Sequence, residues 1–468
     1  MATITSSLMS ASGALDAFTE ALSVVENNVA NASTPDYASQ SEDFVPLELN
    51  PSQGLPGGVK AGQLISSRDE YAEQAVQQQT TLLGQAQQDV NSLTSIQSLF
   101  DISGNSGIPA ALNNLFSAFS AWGQTPDSSV AQQNVIQQAT AVANAFQQTA
   151  TGLETAAYDT RQQLQATVDQ VNQFASQMAG FNQQIMNGNR ADPALDAEVH
   201  STLDQLSNDG SISATQQSDG TWTVLLNGQT PLVMESQAYA LSVGTVAPSA
   251  NSPNPNGPAH LSLLSSDGTD ITADTTAGQL GSLLNTANVV MPQYLGDETQ
   301  DGSLNTLAES FAQNVNTLLT NGLQSNGAAG VPLFSWTNTT NVAQTLQVSS
   351  ITPSQLAAIS PGPPQVSNGV ALALSQLADP TTGLSYTQSY ANMASNVGSL
   401  LDTANANLQT QQAAVAQAQN VRQQVSGVSL DQEATILLQF QQAYEANSRL
   451  VNILDQLTED TMNMLITS

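Results

Sequence analysis

Along the first thirty residues apolar side chains recur at alternating steps of four and three: Ile4, Leu8, Ala11, Leu15, Phe18, Leu22, Val25 and Val29. That is an unbroken heptad seam, the mark of a helix that expects an apolar partner. Asn27, Asn28 and Asn31, then Pro35, end it, because asparagine favours local turn bonding and proline disfavours helix in the residue before it. Pro46, Pro51, Gly54, Pro56, Gly57 and Gly58 punctuate the next stretch of chain and predict a loop. Helical spacing returns over about 71–100 through Leu82, Ala86, Val90, Leu93, Ile96 and Phe100. A Gln-rich helix is predicted near 128–157. Another runs through Leu164, Val168, Val171, Ala175, Met178, Phe181 and Ile185, with Asn187-Gly188-Asn189 as its stop. Residues 193–208 predict one more short helix.

The period then changes. Residues 211–246 read as a β-meander with turns at Asp219-Gly220 and Asn227-Gly228, between Trp222, Val224, Leu226, Leu232 and Val233. A proline-rich connector spans 247–258, and a short strand comes next near Leu261 to Leu264. Helical patterning resumes over 278–322, whereas 323–385 is rich in Pro, Gly, Ser and Thr and predicts no placed element. A last helical region fills 388–468, broken once at Ser426-Gly427-Val428; Ser429 with Gln432 three residues on has the form of a capping box. The terminal helix carries Ile436, Phe440, Ala443, Leu450, Leu454, Leu457 and Met464 on one seam, with Asn447 and Thr461 as polar interruptions. Leu437, Tyr444, Val451 and Leu465 lie beside it and broaden the apolar face.

The expected fold class is mainly α with a β-rich insertion: terminal helices in a coiled coil, a long helical middle domain and an outward β domain. The expected divisions are an N-terminal coiled-coil helix (1–35) pairing with a C-terminal one (429–468), and a loop and helical domain (36–210). A β-rich insertion (211–275) and the rest of the helical domain (276–428, irregular over 323–385) complete them. The same pattern also fits terminal helices packed on an ordinary globular core.

Composition narrows the function. The 468 residues are 40% apolar, enough for real cores, and they carry 6 Lys+Arg against 38 Asp+Glu, a net charge of −32. Phosphate backbones and anionic lipid would repel such a chain, so neither nucleic acid nor a membrane surface is an expected partner. Only 9% of residues are charged, which leaves Gln, Asn, Ser and Thr to supply most of the polar surface. Cysteine is absent, and with it any disulfide or thiolate chemistry. The first basic residue is Lys60, so the N-terminus lacks the form of a cleavable secretory signal, and no apolar run is long enough to span a bilayer.

Candidate chemistry is sparse. Neither histidine, His200 or His260, sits in a paired-ligand spacing, and both read as surface or boundary residues. No nucleophile elbow, Walker loop or dinucleotide fingerprint occurs. Asp297-Glu298-Thr299-Gln300-Asp301-Gly302 imitates the start of a calcium loop, but its twelfth position is Ala308 rather than a bidentate Glu, which makes it a plain acidic turn. No catalytic residue, metal ligand or cofactor is expected, and the reading is of a non-enzymatic protein.

Two terminal segments resemble known proteins. Asn27-Asn28-Val29-Ala30-Asn31-Ala32-Ser33-Thr34-Pro35-Asp36-Tyr37 resembles the N-N-[IV]-A-N-x-x-T-P-G-Y motif that ends the first helix in axial proteins of the bacterial flagellum, with Asp36 in place of the usual glycine. Val425-Ser426-Gly427-Val428-Ser429-Leu430-Asp431-Gln432-Glu433-Ala434, with Leu437-Leu438-Gln439-Phe440-Gln441-Gln442-Ala443-Tyr444-Glu445-Ala446-Asn447, is similar to the C-terminal signature of the hook-associated protein 1 family. Gly278-Gln279-Leu280-Gly281-Ser282-Leu283-Leu284 and Pro332-Leu333-Phe334-Ser335 agree with internal stretches of that family.

The resemblance implies a structural subunit joining hook to filament. It implies export through the flagellar type III channel without a cleaved signal, and an extracellular place in the flagellum. Implied partners are copies of itself in a helical assembly, the hook protein, the second hook–filament junction protein, the filament cap or flagellin, and an export chaperone on the C-terminal helix. The implied assembly interface is Ile4, Leu8, Leu15, Phe18, Leu22, Val29, Ile436, Phe440, Tyr444, Asn447, Leu450, Leu454 and Leu457, and the motif turn is Asn28, Asn31, Pro35 and Tyr37. Another axial subunit such as the hook protein, or an unrelated secreted coiled-coil adhesin, are the alternative readings.

Overall fold

The computed structural model describes residues 2–50, 55–101, 106–189, 192–338, 340–379 and 383–466. In chain order it holds α1 (Ala2–Ala30), β1 (Gln40–Asn50), β2 (Leu55–Ser66), α2 (Glu70–Gln97), α3 (Gly107–Gln124), α4 (Ser129–Met186) and α5 (Pro193–Asp209). Next come the strands β3 (Ile212–Gln216), β4 (Trp222–Leu226), β5 (Thr230–Met234), β6 (Gln237–Ala238), β7 (Ser242–Val246) and β8 (His260–Leu264). The second half contains α6 (Gly278–Asn285), α7 (Pro292–Leu295), α8 (Ser303–Thr320), β9 (Phe334–Ser335), α9 (Val342–Thr345), β10 (Gln347–Val348), α10 (Gly369–Ser375), α11 (Tyr386–Ser426) and α12 (Leu430–Ile466). The fold is mainly α with small antiparallel sheets in the middle of the chain.

The segment expected to be a loop after α1 is instead an antiparallel hairpin, with Gln40 opposite Ser66 and Leu49 opposite Pro56. The prolines are compatible with strands here because a two-stranded ribbon has two open edges, and there a missing N–H costs nothing. Gly58 shows why the glycines are there: its φ is +109°, and a Cβ would meet Ser10 Oγ at 2.6 Å, so only glycine lets β2 lie this close to α1. Pro51 and Gly54 lie outside the described residues, as does the side chain of Leu465.

The two helices predicted over 128–157 and 164–185 are one helix of 58 residues, about 87 Å long at 1.5 Å per residue. Nothing between Ala157 and Leu164 is glycine or proline, so nothing stops the first helix. Ser128 caps its start by accepting from the Ala131 N–H. Its N-terminal half belongs to a core that gathers Leu112, Trp122, Phe146, Phe311 and Tyr390 from α3, α4, α8 and α11. Its C-terminal half belongs to a second core, where Leu164, Val168, Val171 and Met178 meet Leu203, Val224, Leu232 and Leu280. The strands thus begin where expected, at 212, while the boundary in packing falls within α4.

The meander forms as predicted, a four-stranded antiparallel sheet in the order β3-β4-β5-β6, with β7 and β8 as a separate ribbon. Asn227 and Gly228 both have positive φ, at 53° and 71°, the conformation of a tight hairpin turn. Continuous helical patterning over 278–322 is interrupted by a π-helical turn at Thr286–Val290 and by the Asp297 turn. In that turn Asp297 Oδ1 accepts from the Thr299 and Gln300 N–H groups and from the Thr299 hydroxyl, which spends the carboxylate on the backbone. The unplaced stretch 323–385 folds as short pieces that send Leu333, Phe334, Leu346, Leu356 and Val370 into the first core.

Candidate functional site

The two ends of the chain form one unit. α1 lies between the β1–β2 hairpin and α12, and Phe18, Phe44 and Phe440, one from each element, form a triangle of rings with centroids 5.7–6.2 Å apart. Asn28 meets Glu433 near one end while Phe18 meets Phe440 further along, so the helices run antiparallel. The buried stripe of α1 is Ala11, Ala14, Ala17, Ala21, Val25 and Asn28. Small side chains here let the hairpin and α12 approach from two sides. The larger seam residues are correspondingly displaced, with Ile4, Leu8, Leu15, Phe18 and Leu22 half-buried and Val29 exposed.

Asn28 is the hub of this unit. Its side chain is 1% exposed and every polar atom is used. Nδ2 donates to Gln40 O at 2.7 Å and to Glu433 Oε1 at 3.0 Å, while Oδ1 accepts from the Gln40 N–H and from the Tyr37 hydroxyl, both at 3.0 Å. The two terminal motifs are therefore parts of one hydrogen-bonded arrangement. Burial raises the Glu433 pKa, with the Asn28 bond opposing, and burial together with Glu433 raises that of Tyr37. Asn31 serves the turn itself, donating to Asn27 and accepting from Thr34 at 3.1 Å, and Pro35 is exposed.

Below the hub an ionic cluster joins the terminal unit to the helical body. Arg68 pairs with Glu73 at 2.6 Å and Asp196 at 2.7 Å, and donates to Asp36 O at 2.7 Å. Arg422 pairs with Asp36 at 2.7 Å, Asp204 at 2.8 Å and Glu73 at 3.2 Å. Asp36 adopts φ +61°, the left-handed turn conformation for which the related motif uses glycine. Its substitution is explained by its carboxylate, which supplies one of the anions that Arg422 needs. Burial pushes Asp204 up to about 6 against the opposing pull of Arg422.

His200, expected at the surface or its boundary, is buried in this cluster, edge-on to Trp222 with ring centroids 5.2 Å apart. Burial, and then Arg68 and Arg422, hold it well below its ordinary pKa, so it is neutral. Ser426 completes the joint. Its carbonyl accepts from Ser39 N–H and the Ser67 hydroxyl, each at 2.9 Å, and its hydroxyl accepts from Asp69 N–H at 3.0 Å. Arg68, Glu73, Asp196, Asp204 and Arg422 were not singled out from the sequence. The available signal was scarcity, since two of only six cationic residues occupy this one place.

On α12 the side toward α1 is half-buried at Ile436, Phe440, Asn447 and Leu454. Asn447 donates to Ala443 O within its own helix. Tyr444, Leu450 and Leu457 are exposed at 39%, 45% and 49%, with Ile453 at 57% and Met464 at 67%. Leu450, Ile453, Leu457 and Met464 recur at helical spacing, so α12 carries a second, exposed apolar stripe beside the half-buried one. No group of three or more metal-ligating side chains occurs among the described residues, and no helix there is long and apolar enough to cross a membrane.

Residues 93–334, more than half of the chain, match the family model described as the flagellar hook-associated protein FlgK helical domain. The chain belongs to this family. Residues 422–464, which hold Arg422, Glu433 and the exposed stripe, match a second model, the C-terminal segment of flagellar basal body rod FlgEFG proteins. The chain is similar to flagellar hook-associated protein 1 of Bacillus subtilis (strain 168), 26% identical over 506 residues and 97% of each chain. It is also similar to flagellar hook-associated protein 1 of Escherichia coli (strain K12), 24% identical over 71% of this chain and 60% of that protein. The fold matches the flagellar hook junction protein FlgK from Burkholderia pseudomallei with a TM-score of 0.63 at 17% identity, covering 75% of this chain and 100% of that one. The chain is accordingly a hook-associated protein of the hook–filament junction family, a structural flagellar component.

Proposed function

We propose that this chain joins hook to filament by packing its terminal helical pair against those of neighbouring axial subunits, after export through the flagellar type III channel to the outside of the cell. The observation that carries this is the second stripe on α12, apolar yet exposed although α12 already has α1 as a partner. Each such side chain, already partly covered, would add about 1 kcal/mol on full burial, as fractions of the 1.5–3 kcal/mol for a wholly exposed one. Repeated in every subunit of an open, heterologous array, that is a sufficient adhesive. Neighbours in this reading are copies of the chain, the hook protein on one side, and the second junction protein with the filament cap or flagellin on the other. A chaperone would cover the same stripe before export.

The test is Ile453→Asp in a strain whose own copy is deleted. Ile453 is 57% exposed, so the change leaves the folded monomer within about ±0.5 kcal/mol, and any defect belongs to the interface. The expected result is normal amounts of the chain in the medium, bare hooks by electron microscopy and unpolymerised filament subunit. Normal filaments would refute the proposal.

A further inference from the structure

The sheet β3-β4-β5-β6 has one long open edge. Asn227 N–H bonds Ser211 O and Gln217 N–H bonds Thr221 O, each at 2.7 Å, which fixes the odd-numbered residues of β3 as those bonded to β4. The N–H and C=O groups of Ile212, Ala214 and Gln216 therefore point the other way. They face a trough. A cavity of about 490 Å³ lies between α2 and Ser211–Ala214, and a smaller one of about 140 Å³ continues it along Ala214–Gln216. Consecutive rather than alternate residues of β3 line it, so it is the edge of the strand, not a face, that is presented.

Proline, lysine and a bulge, three of the usual protections of an edge, are missing here. β3 contains no proline or lysine, and the sheet's bulge lies between β4 and β5. The opposite wall is built of neutral amides on α2, with Gln74 and Gln78 exposed and Gln77 buried. At the far end the buried His200 lines the smaller cavity, and its Nδ1 has no hydrogen-bond partner among the described residues. Glu70 and Glu73 line that end, and no lysine or arginine lines either cavity.

We infer that this trough docks an extended, non-acidic peptide strand of another polypeptide, which pairs with β3 as a fifth strand while the glutamines of α2 bond its other edge. Main-chain pairing supplies the affinity in such an addition, and five residues of strand make a contact about 17 Å long. The sign of the occupant is set by Glu70 at the far end, because Glu73 is already spent on Arg68 and Arg422, and by the net charge of −32; both repel an acidic strand and favour a neutral or basic one. The site is separate from the terminal helices, so it stands or falls independently of the assembly reading.

The probes are two labelled peptides of six alternating threonines and valines, one ending in two lysines and the other in two aspartates, titrated against the full chain by fluorescence anisotropy. The basic peptide should bind saturably and at least ten-fold more tightly than the acidic one, and should slow amide exchange at Ile212, Ala214 and Gln216. Ala214→Pro removes one outward N–H and should weaken binding at least ten-fold. Gln78→Lys, a change at an exposed position, should shift the preference toward the acidic peptide and covers the case in which the proline variant misfolds. Absence of saturable binding, or binding indifferent to both variants, overturns the inference.

Discussion

Replacing Asn28 with alanine removes the one side chain that bonds α1, the motif turn, the hairpin and α12 together. Four groups lose a partner at once: the Gln40 N–H and C=O, the Tyr37 hydroxyl and Glu433 Oε1. A buried group left unpaired costs about 1–3 kcal/mol, and more when it is charged. Water entering the space would recover part of that, so the expected loss is about 4 kcal/mol. It falls on the terminal unit rather than on the whole chain, because stability is not uniform along a structure with separate cores. The three tryptophans, at 122, 222 and 336, all lie outside that unit.

Tryptophan fluorescence in urea should thus change little for Asn28→Ala, while amide exchange in α1 and the first half of α12 accelerates by two to three orders of magnitude, the equivalent of about 4 kcal/mol. Asn28→Asp adds a like charge against Glu433 and should be at least as damaging. Glu433→Gln placed on that background restores one amide and one carboxylate to the pair and should recover a substantial part of the loss. Exchange in α1 unchanged by Asn28→Ala, or no recovery in the double variant, would refute the assignment of Asn28 as the hub.

Arg422→Met leaves Asp36, Asp204 and Glu73 short of a cation, and breaking one partner of a buried ionic cluster costs about 3–5 kcal/mol; proteolysis should then cut between residues 422 and 430 before it reaches the body. Burial pushes Asp209 up to about 7, so its contribution to stability is full below about pH 4 and is lost as pH rises through about 7. Asp209→Asn should therefore gain on the unmodified chain as pH is raised from 5 to 8, by about 2–4 kcal/mol in denaturant titrations, and a constant difference would contradict the assignment. Leu454 is half-buried against α1, so Leu454→Asp should lower the stability of the terminal unit by about 2 kcal/mol and also prevent filament growth, whereas Glu445→Gln at an exposed position should do neither.

What could be read from the sequence was whatever obeys a period. The α1 and α12 helices, the Asn227-Gly228 hairpin and the break at Ser426-Gly427-Val428 repeat or interrupt a regular spacing, and each stands where it was expected, although Val29 of the α1 seam and Leu450, Leu457 and Met464 of the α12 seam are exposed. The junction family could be read from motifs whose residues turn out to touch one another, Asn28 with Tyr37 and Glu433. The seam of α1 was placed on its large side chains, yet the closest packing is on Ala11, Ala14, Ala17 and Ala21. Large residues mark the face a helix can bury; small ones mark how close a second and third element can come, and periodicity weights only the first.

The ionic joint was illegible for a different reason. Asp36, Arg68, Glu73, Asp196, Asp204 and Arg422 come from segments up to 386 positions apart, between 36 and 422, and no local rule relates them. Each alone resembles a solvated surface charge, and only the fold shows that Arg68 is 9% exposed and Glu73 4%. Burial of such a set is expensive and contributes little net stability over apolar packing, so we propose that its value lies in geometry, in holding the terminal pair at one angle to the body. In the proposed assembly that angle would matter, because the stripe on α12 and the helical body would both have to meet neighbours fixed in the same array. On that proposal the exposed stripe would provide adhesion and the buried charges direction.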